Sequence, residues 1–350
     1  MVNTLQRYSL LFISSLIILM FIVFIRTQKE FIPTSPKING VSFVAPSQPV
    51  SAEVMLPIKH INSNWVAITP YAFSRANEPT VRHSYDHQWW GERVEGVKKT
   101  IEYAHDLKIK VMLKPHVWVR GQGWAGDYTL SSQEEWDLWY HDYSDYILTY
   151  AKLAEKMRVE LFCIGTEYRK ATTLQTDLWI KLISEIRKVY TGKLTYAANW
   201  DNYQKISFWD KLDYIGIDAY FPLNSEKTPK VNALLLDWKA HKSDIEALAK
   251  QYNTPILFTE FGYESRDYAV DGHWKYLKDT LEVNMVGQSN AYEAIYKSFW
   301  NESWFMGGFL WKWHANHENS GGLENKHFTP QNKPVELIIK KHYSSFEQKY

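Results

Sequence analysis

The amino-acid sequence predicts an α/β protein, a single (β/α)8 TIM barrel preceded by an N-terminal transmembrane helix. Three observations support this prediction. A long apolar stretch without charge opens the chain, short β-rich runs then alternate with amphipathic stretches of helical length, and no repeat or composition break divides residues 39–350. Such alternation is typical of βα units around a parallel sheet. Although 350 residues suffice for two average domains, one barrel commonly uses about 250 or more.

Residues 8–25 form a nearly continuous apolar stretch, YSLLFISSLIILMFIVFI, between Arg7 and Arg26. Its length approaches the ~20 residues that a membrane-spanning helix needs. A cleaved signal peptide would have a shorter apolar core followed by small residues, whereas FIRTQKEFIP follows here. We therefore predict a short flank at 1–7, an anchor at 8–25 and a tether at 26–38, with a signal peptide as the alternative interpretation of 8–25.

Eight short runs are predicted to be barrel strands. Most are apolar on both faces, as parallel strands are when helices cover one face and packed side chains the other. The runs are 40–44, 65–69, 111–114, 161–165, 194–197, 214–217, 256–259 and 307–311. Between them lie helical patterns with apolar residues near i, i+3, i+4 and i+7. The clearest patterns are GERVEGVKKTIEYAHDL, EEWDLWYHDYSDYILTYAKLAEKM, TDLWIKLISEIRKVY and LLLDWKAHKSDIEALAKQY.

Polar and aromatic residues collect at the carboxyl ends of the predicted strands, and the strand starts show nothing comparable. From the third strand to the eighth, the motifs are KPHVW, GTEY, AANWDN, IDAYFP, TEFGYES and WKWHANHEN. In a (β/α)8 barrel the loops that follow the strands converge on one face, where binding and catalytic groups lie. This one-sided distribution predicts a functional site at that face.

The composition narrows the class of ligand. With 40 Lys plus Arg against 39 Asp plus Glu, the net charge of +1 favours neither nucleic acid nor a polyanionic substrate. The single cysteine, Cys163, excludes an intramolecular disulfide and a cysteine metal cluster. Most of the 16 Trp and 23 Tyr are expected in the core, but many stand beside polar residues at the ends of apolar runs, where a flat ring can stack on a sugar. Carbohydrate is therefore the predicted ligand class.

Two glutamates occupy matching positions: Glu167 ends the fourth predicted strand in FCIGTEY, and Glu260 ends the seventh in ILFTEFGY. Glycoside hydrolysis needs one carboxylic acid to protonate the leaving oxygen and one carboxylate to attack the anomeric carbon or activate water. Proximity and partial burial would raise one pKa and keep that group protonated while the other stays ionised. A single strand-end glutamate is more often a loop cap or an ion-pair partner, so the prediction rests on the pair.

The motifs GTEY, YAANWD, IDAYFPL, FTEFGY, FLWKW and GGLENKHFTPQNKPVE resemble clan A glycoside hydrolases and, within that clan, glycoside hydrolase family 113. The resemblance spans about residues 39–350. It implies a retaining, endo-β-mannanase-like enzyme that acts on β-1,4-mannan and manno-oligosaccharides, with Glu167 as acid/base and Glu260 as nucleophile. One departure is Thr166, which stands where many clan members carry the asparagine that binds the sugar 2-hydroxyl.

Further strand-end residues are predicted to bind the substrate. Trp311 resembles the clan tryptophan that forms the floor of the cleavage subsite, with core packing as the alternative. Tyr220 is placed to donate a hydrogen bond to the nucleophile and hold it ionised, although a core tyrosine is the competing interpretation. The other candidates can bind sugar hydroxyls or stack on sugar rings: His116, Trp118, Asn199, Trp200, Asp218 and Trp313.

No metal site and no cofactor are predicted. His314 and His317 beside Glu318 invite a metal interpretation, but they lie in a predicted loop, and cleavage by two carboxylates needs no metal. The glycine-containing stretch GQGWAGD lacks both the lysine of a P-loop and the preceding strand of a dinucleotide fingerprint.

The predicted function is therefore retaining double displacement on β-1,4-mannan or manno-oligosaccharides, for which the two carboxyl groups lie ~5 to 5.5 Å apart. Two alternatives remain: hydrolysis of another β-glycan (glucan, xylan or a cell-wall saccharide), and non-catalytic carbohydrate binding by a membrane-anchored protein. Because such a polysaccharide lies outside the cell, the catalytic domain at 39–350 is predicted to be a periplasmic or extracellular monomer. It is held by the N-terminal helix, or secreted if that segment is cleaved.

Overall fold

The computed structural model describes residues 36–85, 87–122, 124–276 and 280–347. All of them belong to one unit of the chain, Thr34–Tyr350. The predicted flank at 1–7, the predicted anchor at 8–25 and most of the predicted tether at 26–38 lie outside the described residues. Among the helices that are described, none is long and apolar enough to cross a membrane.

The structure describes ten strands: β1 Ile38–Phe43, β2 Trp65–Ile68, β3 Tyr71–Arg75, β4 Lys110–Leu113, β5 His116–Arg120, β6 Leu161–Thr166, β7 Lys193–Asn199, β8 Tyr214–Asp218, β9 Ile256–Phe261 and β10 Phe305–Trp313. Eight of them close into a barrel in the order β1-β2-β4-β6-β7-β8-β9-β10, and β10 pairs with β1 in parallel. These eight strands confirm the predicted ones, with ends that differ by up to two residues. The predicted (β/α)8 architecture is correct.

The barrel interior separates into an apolar part and a polar part. Apolar side chains from seven of the barrel strands form one buried cluster that includes Cys163: Ile38, Trp65, Ala67, Met112, Leu161, Cys163, Ala197, Leu257, Met306 and Phe309. Close packing of this kind contributes about 25 cal/mol per Å² of buried apolar surface. The polar side chains lie farther along the same strands, at their carboxyl ends. The apolar cluster is therefore a rigid base beneath them.

Strands β3 and β5 are not part of the barrel, and the sequence prediction missed them. Each follows a barrel strand after a short break that contains a proline, Pro70 or Pro115. The two strands pair with each other in parallel, from Tyr71 opposite His116 to Arg75 opposite Arg120. Because proline has no N–H to donate to a ladder, each of these runs reads in the sequence as the loop after a strand. This two-stranded sheet follows the carboxyl ends of β2 and β4 at one side of the barrel opening, and it is here called the raised wall.

α-Helices lie in the connections between barrel strands, except between β7 and β8, where the chain forms two 3₁₀ segments. The described α-helices are α1 Leu56–His60, α2 Val94–Asp106, α3 Gln133–Met157, α4 Arg169–Leu174, α5 Thr176–Arg187, α6 Val231–Tyr252, α7 Met285–Phe299 and α8 Pro334–Glu347. The four helical patterns predicted from the sequence correspond to α2, α3, α5 and α6. Helix α3 begins with a capping box in which the Ser132 side chain accepts from the Glu135 N–H. Its C-cap, Arg158, is left-handed. Short 3₁₀ segments complete the loops at Ala52–Met55, Trp90–Glu92, Ala125–Asp127, Tyr203–Lys205 and Trp209–Lys211.

Much of the aromatic content is core, as expected from the composition. Six tryptophans are among the largest fully buried side chains: Trp139, Trp179, Trp209, Trp238, Trp300 and Trp313. Between α3 and β6, the Trp139 and Tyr143 rings stack with centroids 4.6 Å apart, and the Tyr143 hydroxyl donates to the Ile164 carbonyl. A Cβ at Gly165 would lie 2.6 Å from this hydroxyl, so the close approach requires glycine there. This packing supports the strand that ends just before Glu167.

Candidate active site

The carboxyl ends of the barrel strands surround a cleft of about 590 Å³, here called the catalytic cleft. Seven of the ten residues predicted from the sequence line it, and six further side chains complete the lining. The predicted residues are Glu167, Glu260, Trp118, Asn199, Trp200, Tyr220 and Trp311, and the others are Trp124, Arg169, Asp201, His273, Trp274 and Phe328. Both glutamates therefore lie in one cleft on the predicted face of the barrel.

Glu167 follows the last residue of β6 and is partly buried at the cleft surface. Its backbone is in the left-handed region, at φ 55°, and its N–H donates to the Ala197 carbonyl of β7 at 2.8 Å. The Trp124 indole N–H donates to Glu167 Oε2 at 2.7 Å. Burial, reinforced by the charges of Asp218 and Glu260, raises the pKa of Glu167 to about 8. Glu167 is therefore held protonated at neutral pH.

The Trp124 side chain is itself held in place by Arg169. The guanidinium lies over the indole ring, with its Cζ 4.7 Å from the ring centroid. It also pairs with Asp127 and Asp201, at 2.7 Å in each case. This bridge connects the loop after β5, the start of α4 and the loop after β7. The arrangement fixes the donor that touches the Glu167 carboxyl.

Glu260 lies in β9 and is only 5% exposed. Lys114 Nζ donates to Glu260 Oε1 at 2.5 Å, and the Tyr220 hydroxyl donates to Oε2 at 2.7 Å. Burial and the neighbouring Glu260 carboxylate raise the pKa of Tyr220 well above its ordinary value, so this hydroxyl keeps its proton. Charge-assisted donation from two sides stabilises negative charge on Glu260.

Lys114 lies between two carboxylates below the cleft. It is fully buried and also donates to Asp218 Oδ1 at 3.2 Å, an oxygen to which the Thr259 hydroxyl donates at 2.7 Å. Burial opposes a charged lysine, but Asp218 and Glu260 outweigh it and raise the pKa of Lys114 above its ordinary value. Burial and the Glu260 charge raise the pKa of Asp218 to about 7. Lys114 therefore stays charged and links the carboxyl groups of Asp218 and Glu260.

The two glutamates therefore have opposite environments within one cleft. Glu260 accepts hydrogen bonds from an ammonium group and a hydroxyl. Glu167 accepts one from a neutral indole, and its pKa is raised by burial. Two carboxyl groups with such different hydrogen-bond partners can supply a proton from one member and a negative charge from the other.

Three residues that were predicted to bind substrate lie behind the cleft surface. For these three, the prediction of direct contact with substrate is wrong. Asp218 is fully buried against Lys114, so no substrate reaches it. Trp313 is fully buried with its ring stacked on His317, because the register of β10 against β1 shifts between Leu310 and Trp313.

His116, only 8% exposed, stacks on the Trp311 ring at 6.1 Å, with Nε2 3.7 Å from Glu260 Oε1. Burial and the Lys114 charge lower the pKa of His116 well below its ordinary value, so the ring is neutral. We assign His116 to packing beneath Trp311 rather than to contact with substrate.

Several residues of the site were not identified from the sequence. Lys114 was the most detectable, because a lysine directly after the apolar run VML at a strand end needs a buried partner. Trp124 belongs to GQGWAGD, where the glycines invite comparison with phosphate-binding and dinucleotide-binding loops and nothing singles out the tryptophan. Arg169 and Trp274 carry no local signal, since they reach the cleft through contacts between separate loops.

Thr166, which stands where many clan members carry an asparagine, also differs from that asparagine in what it offers to the cleft. The Thr166 hydroxyl oxygen is buried and has no hydrogen-bond partner among the described residues. It therefore offers no polar atom to the cleft. Asn199, on the neighbouring strand β7, does line the cleft, and its amide donates to Asp201 Oδ1 at 2.8 Å.

Within the described ranges, no group of three or more His, Cys, Asp or Glu side chains is arranged to hold a metal ion. Of the two histidines near the end of β10, His317 packs on Trp313, and its Nδ1 accepts from the Gln331 amide Nε2 at 3.2 Å. Burial lowers the pKa of His314 to about 4, so it is neutral. The Trp311–Lys312 peptide bond beside them is cis.

The amino-acid sequence of the chain matches a known protein family. The family model for Glycoside Hydrolase Family 113 matches residues 46–333, which is most of the chain and includes both glutamates. No curated protein sequence matches the chain significantly.

Solved structures share the fold over nearly the whole described unit. A family 113 β-1,4-mannanase, solved as a complex, is 27% identical with a TM-score of 0.76, covering 89% of this chain and 100% of its own. The β-mannanase AaManA from Alicyclobacillus acidocaldarius, solved with ManMIm, is 23% identical with a TM-score of 0.77, covering 89% and 99%. A Ruminococcus gnavus β-glucuronidase shares the fold alone, at 10% identity and a TM-score of 0.61, covering 88% and 50%. With a family model that matches most of its length, the chain belongs to glycoside hydrolase family 113 and is a glycoside hydrolase.

Proposed function

We propose that the protein hydrolyses β-1,4-mannan or manno-oligosaccharides with retention of configuration, by double displacement with two glutamates. The observation that carries this proposal is the opposite environment of the two carboxyl groups in one cleft. Lys114 and Tyr220 donate to Glu260 at 2.5 and 2.7 Å, while burial raises the pKa of Glu167 to about 8. A retaining enzyme needs this pairing of an ionised nucleophile with a protonated acid.

In the proposed mechanism, Glu260 attacks the anomeric carbon while Glu167 protonates the leaving oxygen. The resulting glycosyl-enzyme is then hydrolysed by a water that Glu167, now ionised, deprotonates. Lys114 and Tyr220 hold Glu260 in position and stabilise its charge before the attack. Trp124 holds Glu167 through its indole N–H.

The substrate assignment rests on family membership and on the cleft lining. The similar structures of the family are described as β-mannanases. Five tryptophans line the catalytic cleft and offer flat apolar faces to sugar rings: Trp118, Trp124, Trp200, Trp274 and Trp311. The net charge of +1 is compatible with a neutral glycan.

The proposal is tested by comparing initial rates on β-1,4-linked hexasaccharides of mannose, glucose and xylose. We expect kcat/KM to be highest for mannohexaose and the first product seen by NMR to be the β-anomer. An α-anomer would contradict retention. Faster cleavage of the glucose or xylose oligomer would replace mannan with that glycan while leaving the two glutamates in their roles.

The pH dependence of activity follows from the raised pKa of Glu167. Because Glu167 must be protonated to act as the acid, activity is expected to be present below about pH 8 and to fall as pH rises through that value. The basic limb of the kcat/KM profile on an oligosaccharide measures this pKa in the free enzyme.

Trp124→Phe is expected to move this basic limb to higher pH. The indole N–H donates to the carboxylate and lowers the pKa of Glu167, so its removal raises that pKa further. Trp274→Phe is a matched control, because Trp274 lines the same cleft and stacks on Trp200. A basic limb that stays in place or moves down in Trp124→Phe would show that this hydrogen bond does not set the acidity of Glu167.

We also propose that residues 8–25 anchor the protein in a membrane, with the catalytic domain outside the cytoplasm as a monomer. The proposal rests on the uncharged apolar stretch between Arg7 and Arg26 and on a polysaccharide substrate. Protease treatment of spheroplasts, in which the outer face of the cell membrane is accessible, followed by fractionation, is expected to degrade a membrane-bound catalytic domain. Full protection of the domain would contradict the orientation, and recovery in the medium would indicate that the segment is cleaved.

A further inference from the structure

A buried lysine behind the catalytic cleft, Lys333, connects the loop after β10 with the loop after β9. We propose that Lys333 is a positioning residue for the nucleophile. It fixes the chain segment that packs Phe328 against Tyr220, and thereby keeps the Tyr220 hydroxyl in contact with Glu260. This inference rests on the proposed function, in which Glu260 is the nucleophile, and it concerns side chains that do not line the cleft themselves.

Lys333 directly precedes α8 and is only 4% exposed. Its Nζ donates to Ser265 Oγ at 2.8 Å, to Asn325 Oδ1 at 2.9 Å and to the His327 carbonyl at 2.7 Å. A lysine ammonium carries three N–H donors, and each of them has an acceptor here. Because a buried lysine is costly without such partners, these bonds hold the three acceptors around one point.

Ser265 completes this cluster from the loop after β9. It is fully buried, and its hydroxyl donates to the Asn325 carbonyl at 2.5 Å and approaches the His327 carbonyl at 3.2 Å. Asn325 Oδ1 also accepts from the His327 N–H at 2.9 Å. Residues 325–327 are therefore held against the loop after β9 by side chains from two separate parts of the chain.

Phe328 directly follows this fixed segment and lines the catalytic cleft. Its ring packs edge-on against the Tyr220 ring, with centroids 6.0 Å apart, and against the His273 ring at 5.4 Å. The His273 ring in turn packs edge-on against Tyr220 at 5.3 Å. Since the three rings contact one another, Phe328 and His273 restrict the positions open to the Tyr220 ring.

The loop after β9 supports His273 as well. Arg266, next to Ser265 in the sequence, is buried and donates to the His273 carbonyl at 3.0 Å. Arg266 also forms an ion pair with Glu264. Both rings that pack on Tyr220 are therefore fixed by the stretch of chain that follows the nucleophile strand.

The Tyr220 hydroxyl is sensitive to small displacements of its ring. It donates to Glu260 Oε2 at 2.7 Å. A hydrogen bond of this kind is lost when donor and acceptor separate by about 1 Å more, to roughly 3.6 Å. Loss of the contacts around Lys333 is therefore expected to remove this donor from Glu260 without changing any residue of the catalytic cleft.

A double-mutant cycle in the full-length protein tests the proposal. Lys333→Met is expected to lower kcat on mannohexaose about tenfold, a coupling typical of residues in one network. In Tyr220→Phe, which has no hydroxyl to position, the same change should lower kcat less than about twofold. No loss in the parent background would overturn the proposal. So would a tenfold loss that persists in Tyr220→Phe, as general loosening of the loop or an altered contact of Phe328 with substrate would give.

Lys37→Met is the matched control. Lys37 is also buried and donates to backbone carbonyls, those of Glu302 and Phe305, but it precedes β1 at the opposite end of the barrel. It controls for the loss of stability when a buried lysine is removed, and kcat of the folded variant is expected to stay within about twofold of the parent. An equal loss of kcat in Lys37→Met and Lys333→Met would overturn the proposal.

Ser265→Ala retains Lys333 and provides a second test that needs no substrate. In its crystal structure, the distance between the Tyr220 hydroxyl and Glu260 Oε2 is expected to lengthen from 2.7 Å to beyond about 3.5 Å. An unchanged bond would overturn the proposal. If the parent cleaves no hexasaccharide, the proposed function fails, and this distance still decides whether the cluster around Lys333 positions Tyr220.

Discussion

Glu260→Ala is expected to lower kcat on manno-oligosaccharides by on the order of 10⁴-fold or more, as the loss of other covalent nucleophiles does. Added sodium azide should restore part of the activity, because a small anion fits the space left by the carboxylate and attacks the anomeric carbon from the same face. The product is then the α-glycosyl azide, with inverted configuration, which NMR identifies. Glu260 is suited to this role since Lys114 and Tyr220 both donate to its oxygens.

Glu167→Ala provides the matched control, because both glutamates line the same cleft. Without its acid, the enzyme is expected to lose most activity on oligosaccharides but far less on an aryl β-mannoside whose leaving group needs no proton. Azide should then yield the β-glycosyl azide. Turnover by Glu260→Ala at the parent rate without azide would contradict the nucleophile assignment. If Glu260→Ala gave the β-glycosyl azide and Glu167→Ala gave the α-glycosyl azide, the two roles would be reversed.

Lys114→Met is expected to lower the free energy of unfolding by about 3–5 kcal/mol, the usual cost of removing one partner from a buried ion pair. Methionine matches the length of lysine but leaves the carboxyl groups of Asp218 and Glu260 without their shared cation. These residues are 0% and 5% exposed, so water cannot replace the ammonium group. Urea unfolding, followed by tryptophan fluorescence, measures the change.

The same variant is expected to lose activity, because Glu260 loses its charged donor. Adding Asp218→Asn to Lys114→Met removes one of the two uncompensated carboxylates and should recover part of the stability without recovering activity. Recovery of stability without recovery of activity would separate the contribution of Lys114 to the fold from its role in positioning Glu260. An unchanged urea midpoint in Lys114→Met would mean that the cluster is not held together by charge.

The local pattern of the sequence was sufficient to predict the barrel and the positions of its two glutamates. Parallel strands covered on both faces must be apolar throughout, so each appears as a short apolar run between helical patterns. The polar residues after these runs then necessarily meet at one face. Glu167 and Glu260 follow such runs, and both line the catalytic cleft.

The raised wall beside the cleft was not predictable from local pattern. Pro70 and Pro115 interrupt the extended chain, and β3 and β5 are stabilised by pairing with each other rather than with the barrel. Such pairing depends on two segments that are about 45 residues apart in sequence and come together only on folding. The wall carries Trp118, which lines the catalytic cleft, so the shape of that cleft depends on this pairing as well.

The sequence by itself determined the fold class, the family and the two glutamates, because each leaves a signal within a few consecutive residues. Only the tertiary structure decided what surrounds those glutamates. Lys114 meets Asp218 and Glu260 across 104 and 146 residues, and Trp124 meets Glu167 across 43. Charge and burial act through distances in space, which no local pattern contains. For that reason Asp218, predicted at the surface of the cleft, lies buried beneath it as a partner of Lys114.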